Sequence, residues 1–182
     1  LRTFIAIEIP QNIKEKIYEA FEKEREKEKG VKWVEKENLH ITLKFLGEID
    51  ERKVKEIEKI LEEEIPLKFK SFEAKLEELD GFPNFKNPRV LWIGVSPKEK
   101  IKEIFEFIEE RIEEEKMNIE KEVREFHPHI TIARIKVKGK FSFERKKFDE
   151  NFKINRIALF KSDLRPEGPI YTLLKEVKLK DE

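Results

Sequence analysis

Cysteine is absent from the 182 residues, which excludes disulfide bridges, thiolate metal sites and a cysteine nucleophile. No stretch approaches the ~18–20 consecutive apolar residues of a membrane span. The amino-terminal "LRTFIAIEIP" lacks the long apolar core of a secretory signal. Net charge is lacking too, since 40 basic residues offset 40 acidic ones. A protein that follows a long duplex by its phosphates is expected to be basic. Neutrality therefore argues against an extended nucleic-acid footprint, while leaving room for one or two nucleotides at a local positive patch. No low-complexity linker or shift of composition marks a boundary within the chain. These absences lead to a soluble, cytoplasmic protein built as one domain, or as two lobes sharing a cleft.

Charge and aromatic residues are plentiful. Hydrophobic residues make up 38% and charged residues 44%, with fifteen Phe and two Trp to fill a core; a disordered chain would lack that aromatic content. Abundant Glu, Lys and Ile with a single Met follow the hyperthermophile trend. Glu/Lys runs such as "EKEREKEK" are read as solvated helix faces.

Period-two alternation makes "FIAIEI" (4–9) a strand, ended by Pro10. Ile13, Ile17, Ala20 and Phe21 share one face of a helix expected from about Gln11 to Lys29, with Gly30 as its stop. "VKWV" (31–34) and the stretch around His40 read as two strands. Asp50 caps a second helix with Val54, Ile57, Ile60 and Leu61 as its stripe. "LKFKSFEAKL" (67–76) reads as a strand with a bulge near Ser71, "DGFPNFKNPR" (80–89) as a loop, and "VLWIGV" (90–95) as a strand. Ser96, Pro97 and Glu99 fit a capping box ahead of an apolar face of Ile101, Ile104, Phe105, Ile108 and Ile112. "FKINRIALF" (152–160) and "IYTLLKEV" (170–177) close the chain as strands. Neighbouring strands often lack an intervening helix, which favours an α+β fold with antiparallel sheets over a doubly wound parallel one.

Histidine is scarce, with three in the chain, and two of them stand in copies of one phrase: "LHITLKFLG" around His40 and "PHITIAR" around His129. The pairs His40/His129 and Thr42/Thr131 are both 89 positions apart. On a strand, residues two apart leave the same face, so each phrase presents an imidazole beside a hydroxyl while its isoleucine points into a core. Two such strands facing each other would gather two imidazoles and two hydroxyls around one cleft. That set suits phosphoryl transfer. One neutral imidazole takes a proton from the attacking oxygen and a protonated one gives a proton to the departing oxygen. The threonine hydroxyls can donate to the non-bridging phosphate oxygens. The competing reading makes each His a structural strand residue. His127, in His-Pro-His, raises a metal reading, but no further histidine completes a common site with imidazoles at both ends, so it is placed at the cleft edge or in packing.

At these residues the chain resembles the 2H phosphoesterase superfamily, and within it the RNA 2′,3′-cyclic phosphodiesterases, also called 2′-5′ RNA ligases. The phrases "FIAIEIP", "WVEKENLHITLKFLGE", "FHPHITIAR" and "SDLRPEGPIYTLL" carry the resemblance over nearly the whole chain. It implies a single bilobal domain over residues 1–182, with pseudo-twofold-related lobes, an antiparallel sheet in each, outer helices, and both motifs in the cleft between. It further implies opening of a 2′,3′-cyclic phosphate at an RNA end, or on a small nucleotide, to a 2′-phosphate. It also implies joining of such an end to a 5′-hydroxyl through a 2′-5′ bond. His40 and His129 match the motif histidines and Thr42 and Thr131 the phosphate-binding threonines. His40 is assigned as acid and His129 as base, an order the sequence does not fix. Arg134 and Phe45 match the positions near the terminal base. Strict alternation would turn both away from the histidine face, so a strand end or bulge must bring them back.

No cofactor, metal ion, membrane or obligate protein partner is expected. Lys136, Lys138 and Lys140 repeat at period two and are followed by Arg145, Lys146 and Lys147; they either protect an edge strand or guide an RNA backbone. The rival functions are a 2H enzyme on another cyclic or 2′-5′ phosphodiester, a non-catalytic RNA-end binding module, and a metallohydrolase using His127 and His129.

Overall fold

A computed structural model describes residues 1–136 and 143–181; Lys138 and Lys140 lie outside them. Strand β1 (Arg2–Glu8) leads through Pro10 into helices α1 (Gln11–Ala20) and α2 (Glu22–Lys27). Strand β2 (Val31–Trp33), a 3-10 turn (Lys36–Asn38) and β3 (His40–Glu48) follow. Helices α3 (Glu51–Glu63) and α4 (Ile65–Lys68) connect to β4 (Phe72–Phe82) and β5 (Val90–Ser96). Helix α5 (Lys98–Glu114), then β6 (His129–Ile135), β7 (Asn151–Ile154), β8 (Arg156–Asp163) and β9 (Ile170–Lys178) complete the chain.

The strands form one sheet in the order β7-β4-β5-β6-β3-β1-β8-β9, with β2 set beside β6. Each named strand pair is antiparallel. Read outward from the centre, the two halves match. β3, β1 and the β8–β9 hairpin lie on one side, and β6, β5 and the β4/β7 pair on the other. Within each half the unit β1-α1-β3 or β5-α5-β6 repeats. The halves meet where Ile41 of β3 pairs with Ile130 of β6.

One face of the sheet is covered by the helices. Ile13 and Ile17 of α1 and the five predicted apolar residues of α5 are all buried there, with Ile41 and Ile130 at 0% exposure beneath them. Burying such a side chain is worth roughly 1.5–3 kcal/mol. A one-residue slip of β3 or β6 would therefore expose its isoleucines and bury its histidine, and this fixes the register of both motifs. A charged pair crosses the same layer. Lys44 Nζ lies 2.7 Å from Glu109 Oε1, with the side chains only 5% and 8% exposed. Lys44 also donates to the Glu120 carbonyl, and Glu109 Oε2 accepts from the Glu122 N–H at 2.9 Å.

Several elements differ from the sequence reading. The first helix breaks at Phe21, whose buried ring ends α1. Glu24 and Glu28 are buried rather than solvated, and Glu24 pairs with Lys146 at 3.2 Å. Residues 65–68 are helical, so β4 starts later than expected and runs on through Gly81 and Phe82; its irregularity falls between Leu76 and Leu79. Ser96 stays in the ladder opposite Lys75, one residue too early to cap α5, and no side chain caps that helix. Asp50 does cap α3, accepting from the Lys53 N–H at 2.9 Å. "FKINRIALF" is two strands, divided at Asn155. β7 pairs with β4 at one end of the sheet and β8 with β1 towards the other. Of the basic residues after the second motif, Arg145 stands 4.4 Å over the Phe85 ring and Lys146 serves Glu24, so both are engaged in packing.

Candidate active site

Both motif strands carry the same irregularity. In β3, Thr42 lies opposite Ala6 and Lys44 opposite Ile5, so Leu43 is an extra residue; in β6, Thr131 lies opposite Trp92 and Ala133 opposite Leu91, so Ile132 is extra. Such a bulge inverts the alternation of side chains beyond it. Two consecutive residues are buried in each strand, Leu43–Lys44 and Ile132–Ala133, and the next residue, Phe45 or Arg134, emerges exposed on the histidine face. The required reorientation is thus built into both strands in the same way.

The Ile41–Ile130 pair brings the motifs together on the face opposite the helices. In an antiparallel ladder the flanking positions pair crosswise, so His40 lies towards Thr131 and His129 towards Thr42. The two histidines then occupy diagonal positions, which in a regular ladder are about 7–8 Å apart.

Both rings are oriented alike. His40 Nδ1 lies 2.6 Å from the Asn38 carbonyl, and His129 Nδ1 lies 2.6 Å from the His127 carbonyl. A carbonyl oxygen only accepts, so each Nδ1 carries the hydrogen, and each neutral ring presents a bare Nε2. Thr42 Oγ1 stands 2.8 Å from His40 Nε2, where the hydroxyl donates to the neutral ring. Burial pushes His40 down to about 4; the Lys14 and His129 charges add to this and the Asn38 hydrogen bond opposes it. His129 is also lowered, by burial first and then by the charges of Arg134 and His127.

Aromatic rings surround the pair. Phe4 lies 5.0 Å from His40 and 5.9 Å from Phe45 between ring centres. Tyr171 stands edge-on to His40, and Trp92 edge-on to His129 at 5.7 Å. Glu8 sits directly across from His40 on β1. Its carboxyl is pushed up to about 7 by burial and by its hydrogen bond to Glu176. Phe4, Trp92, Tyr171 and Glu8 were not singled out from the sequence. The alternation of "FIAIEI" sets Phe4 and Glu8 on one face, but only the pairing with β3 shows that this face holds the histidines. The His127 side chain is exposed, 3.7 Å from Glu125. Among the described residues no cluster of three or more His, Cys, Asp or Glu could hold a metal ion.

The LigT-like phosphoesterase family model matches residues 7–92 and then 93–171, so each match takes in one motif. The chain belongs to this family. An RNA 2′,3′-cyclic phosphodiesterase of Methanocaldococcus jannaschii is 43% identical to this LigT-like chain, with 97% of the chain and 99% of the relative covered. One from Thermotoga maritima is 34% identical over 97% of the chain and 94% of its own length. Among solved structures, a Thermus thermophilus protein superimposes with a TM-score of 0.84 at 29% identity, covering all of both chains. E. coli LigT complexed with 3′-AMP gives 0.77 at 26% identity, covering 98% of this chain and 97% of that one. No described helix of the LigT-like chain is long and apolar enough to cross a membrane.

Proposed function

We propose that the protein is an RNA 2′,3′-cyclic phosphodiesterase, working as one bilobal unit over residues 1–182 and leaving a 2′-phosphate. The observation that carries this reading is the meeting of two identically oriented imidazoles, each with Nδ1 on a backbone carbonyl and Nε2 unprotonated, at the Ile41–Ile130 joint. The activity named for the Methanocaldococcus and Thermotoga relatives supports it.

Water attacks phosphorus in line with the P–O3′ bond. His129 Nε2 takes a proton from that water as its oxygen bonds to phosphorus. The P–O3′ bond breaks, and protonated His40 gives its Nε2 hydrogen to O3′. Hydroxyl has been added to phosphorus and hydrogen to O3′, and the 2′-ester survives. Thr42 and Thr131 donate to the non-bridging oxygens, which bear the transition-state charge. Thr42 exchanges its bond to His40 Nε2 for one to phosphate. Arg134 and Phe45 flank the terminal base; Phe45, 61% exposed, offers an open ring face. With a 5′-hydroxyl in place of water, the same transfers in the same direction make a 2′-5′ bond as P–O3′ breaks, and neither reaction calls on a metal or nucleotide cofactor.

The deciding assay treats the protein with EDTA, supplies a nucleoside 2′,3′-cyclic phosphate and identifies the isomer formed. The 2′-phosphate is expected, at undiminished rate. The 3′-isomer, or loss of activity with the chelator, would sink the mechanism. Substituting Thr42→Val or Thr131→Val is expected to lower kcat by about 10–10³-fold, the scale of one lost transition-state donor, measured in the same assay.

The pH dependence follows from the histidines. Turnover needs one ring protonated and one neutral, so kcat/KM is bell-shaped. In the free protein both are depressed, His40 to about 4. The kcat/KM optimum therefore lies below the ordinary His value of ~6.5. A bound phosphate anion favours the imidazolium, so the kcat optimum shifts to higher pH. A flat kcat/KM profile between pH 5 and 9, with chemistry limiting, would contradict paired acid–base work.

A further inference from the structure

Each motif histidine takes its ring orientation from the carbonyl two residues upstream, but the two upstream side chains differ. That of His127 is exposed beside Glu125. Asn38 instead reaches the β8–β9 connection: its Nδ2 donates to the Pro169 carbonyl at 3.1 Å. Lys32, across from Arg134 on β2, donates from Nζ to the Pro166 carbonyl of the same connection at 3.3 Å. Gly168, at φ +131, makes the turn between these two carbonyls in a conformation that strains any other residue. The two bonds hold residues 164–169 against the entry to β3, although Asp163 and Ile170 pair at the far end of the hairpin from Arg156 and Lys178.

Tyr171 follows directly after this latch. Its ring stands 5.6 Å from His40 at 81° and 4.8 Å from Phe4 at 69°. His40 is thereby flanked by Phe4 on one side and Tyr171 on another, with Thr42 on Nε2 and the Asn38 carbonyl on Nδ1. We propose that Tyr171 is a positioning residue: its ring, stationed by the Asn38 and Lys32 latch, keeps bulk water off His40 and holds the imidazole at the angle proton transfer requires. Water admitted there would compete for Nε2 and loosen the ring.

Burial is the main cause of the low His40 value, so removing the wall should raise it. Besides the Tyr171 phenol, which burial pushes up and so keeps neutral, the charged and titratable groups around His40 are Lys14 of α1, Glu8 of β1 and His129 of β6, and these three are unchanged in the variants below. With three histidines in the chain, ring-proton NMR titration follows each one separately. Tyr171→Ala is expected to raise the His40 midpoint by about one unit or more, towards ~6.5. It should also lower kcat by about ten-fold or more, the loss being in kcat rather than KM. Tyr171→Phe keeps the ring and should leave the His40 midpoint in place. Asn38→Ala keeps the main-chain carbonyl but removes the latch bond next to Tyr171, and should move the midpoint the same way by less. An unmoved His40 midpoint in folded Tyr171→Ala overturns the proposal, as does lost turnover without a shift, which would mean direct substrate contact instead. If Tyr171→Ala does not fold, Asn38→Ala decides, and an unmoved midpoint there overturns it. The inference rests on the cyclic phosphodiesterase reading only through kcat. Absence of turnover in the unsubstituted protein would end that reading and leave the titration as the test of the wall.

Discussion

Alanine at His40 or His129 is expected to lower kcat by about 10²–10⁴-fold, the usual contribution of a positioned acid or base, with cyclic-phosphate binding largely kept. The two rings are oriented alike, so either loss removes one end of a single proton circuit. The double variant should consequently be little worse than the more damaged single one. The roles separate with a substrate bearing sulfur in place of O3′, which departs without needing a proton. That substrate should restore turnover to His40→Ala and not to His129→Ala. The reverse pattern would exchange acid and base. Unchanged hydrolysis in either single variant would refute the paired-histidine mechanism.

Lys44→Met is expected to cost about 3–5 kcal/mol of stability, the scale for breaking one half of a buried ion pair. Lys44 is the residue that the β3 bulge turns inward, and its ammonium meets Glu109 in a layer otherwise filled by apolar side chains. Methionine replaces its volume but leaves the Glu109 carboxylate in that layer with only the Glu122 N–H. A second change, Glu109→Leu, should recover most of the loss, because a matched apolar pair is often as stable as the ions it replaces. Denaturant melts of the single and double variants check this. A Lys44→Met loss below about 1 kcal/mol would show the pair to be screened like a surface one.

Much of the fold was legible because apolar periodicity reports directly on burial. The α3 and α5 stripes and the strands at 90–95 and 129–135 all follow it. It failed where two influences competed. Ile65 to Lys68 form a helical turn despite a strand-like pattern, since Ile65 anchors that turn in the core. The capping box at Ser96 had the right residues but lost to the ladder that holds Ser96. At the site, spacing alone brought out His40, Thr42, His129 and Thr131, because two-residue alternation sets their common face. Phe45 and Arg134 needed the bulges at Leu43 and Ile132, which no turn-forming residue announces. Tyr171 depended on a hairpin tip held by Asn38 and Lys32 from more than a hundred positions away. Long-range pairings of that kind leave no periodic trace in a sequence.

The division of "FKINRIALF" at Asn155 bears on how the protein is made. Residues that follow β6 in the chain supply β7 to one half of the sheet, and β8 and β9 to the other. A nascent chain that has reached β6 therefore still shows unpaired edges on β1 and β4. Folding must wait for the carboxy-terminal segment, and β1 can close against β8 only through a loop of roughly 150 residues, which makes for slow folding. Until that segment has emerged from the ribosome, the unpaired edges leave the chain open to aggregation.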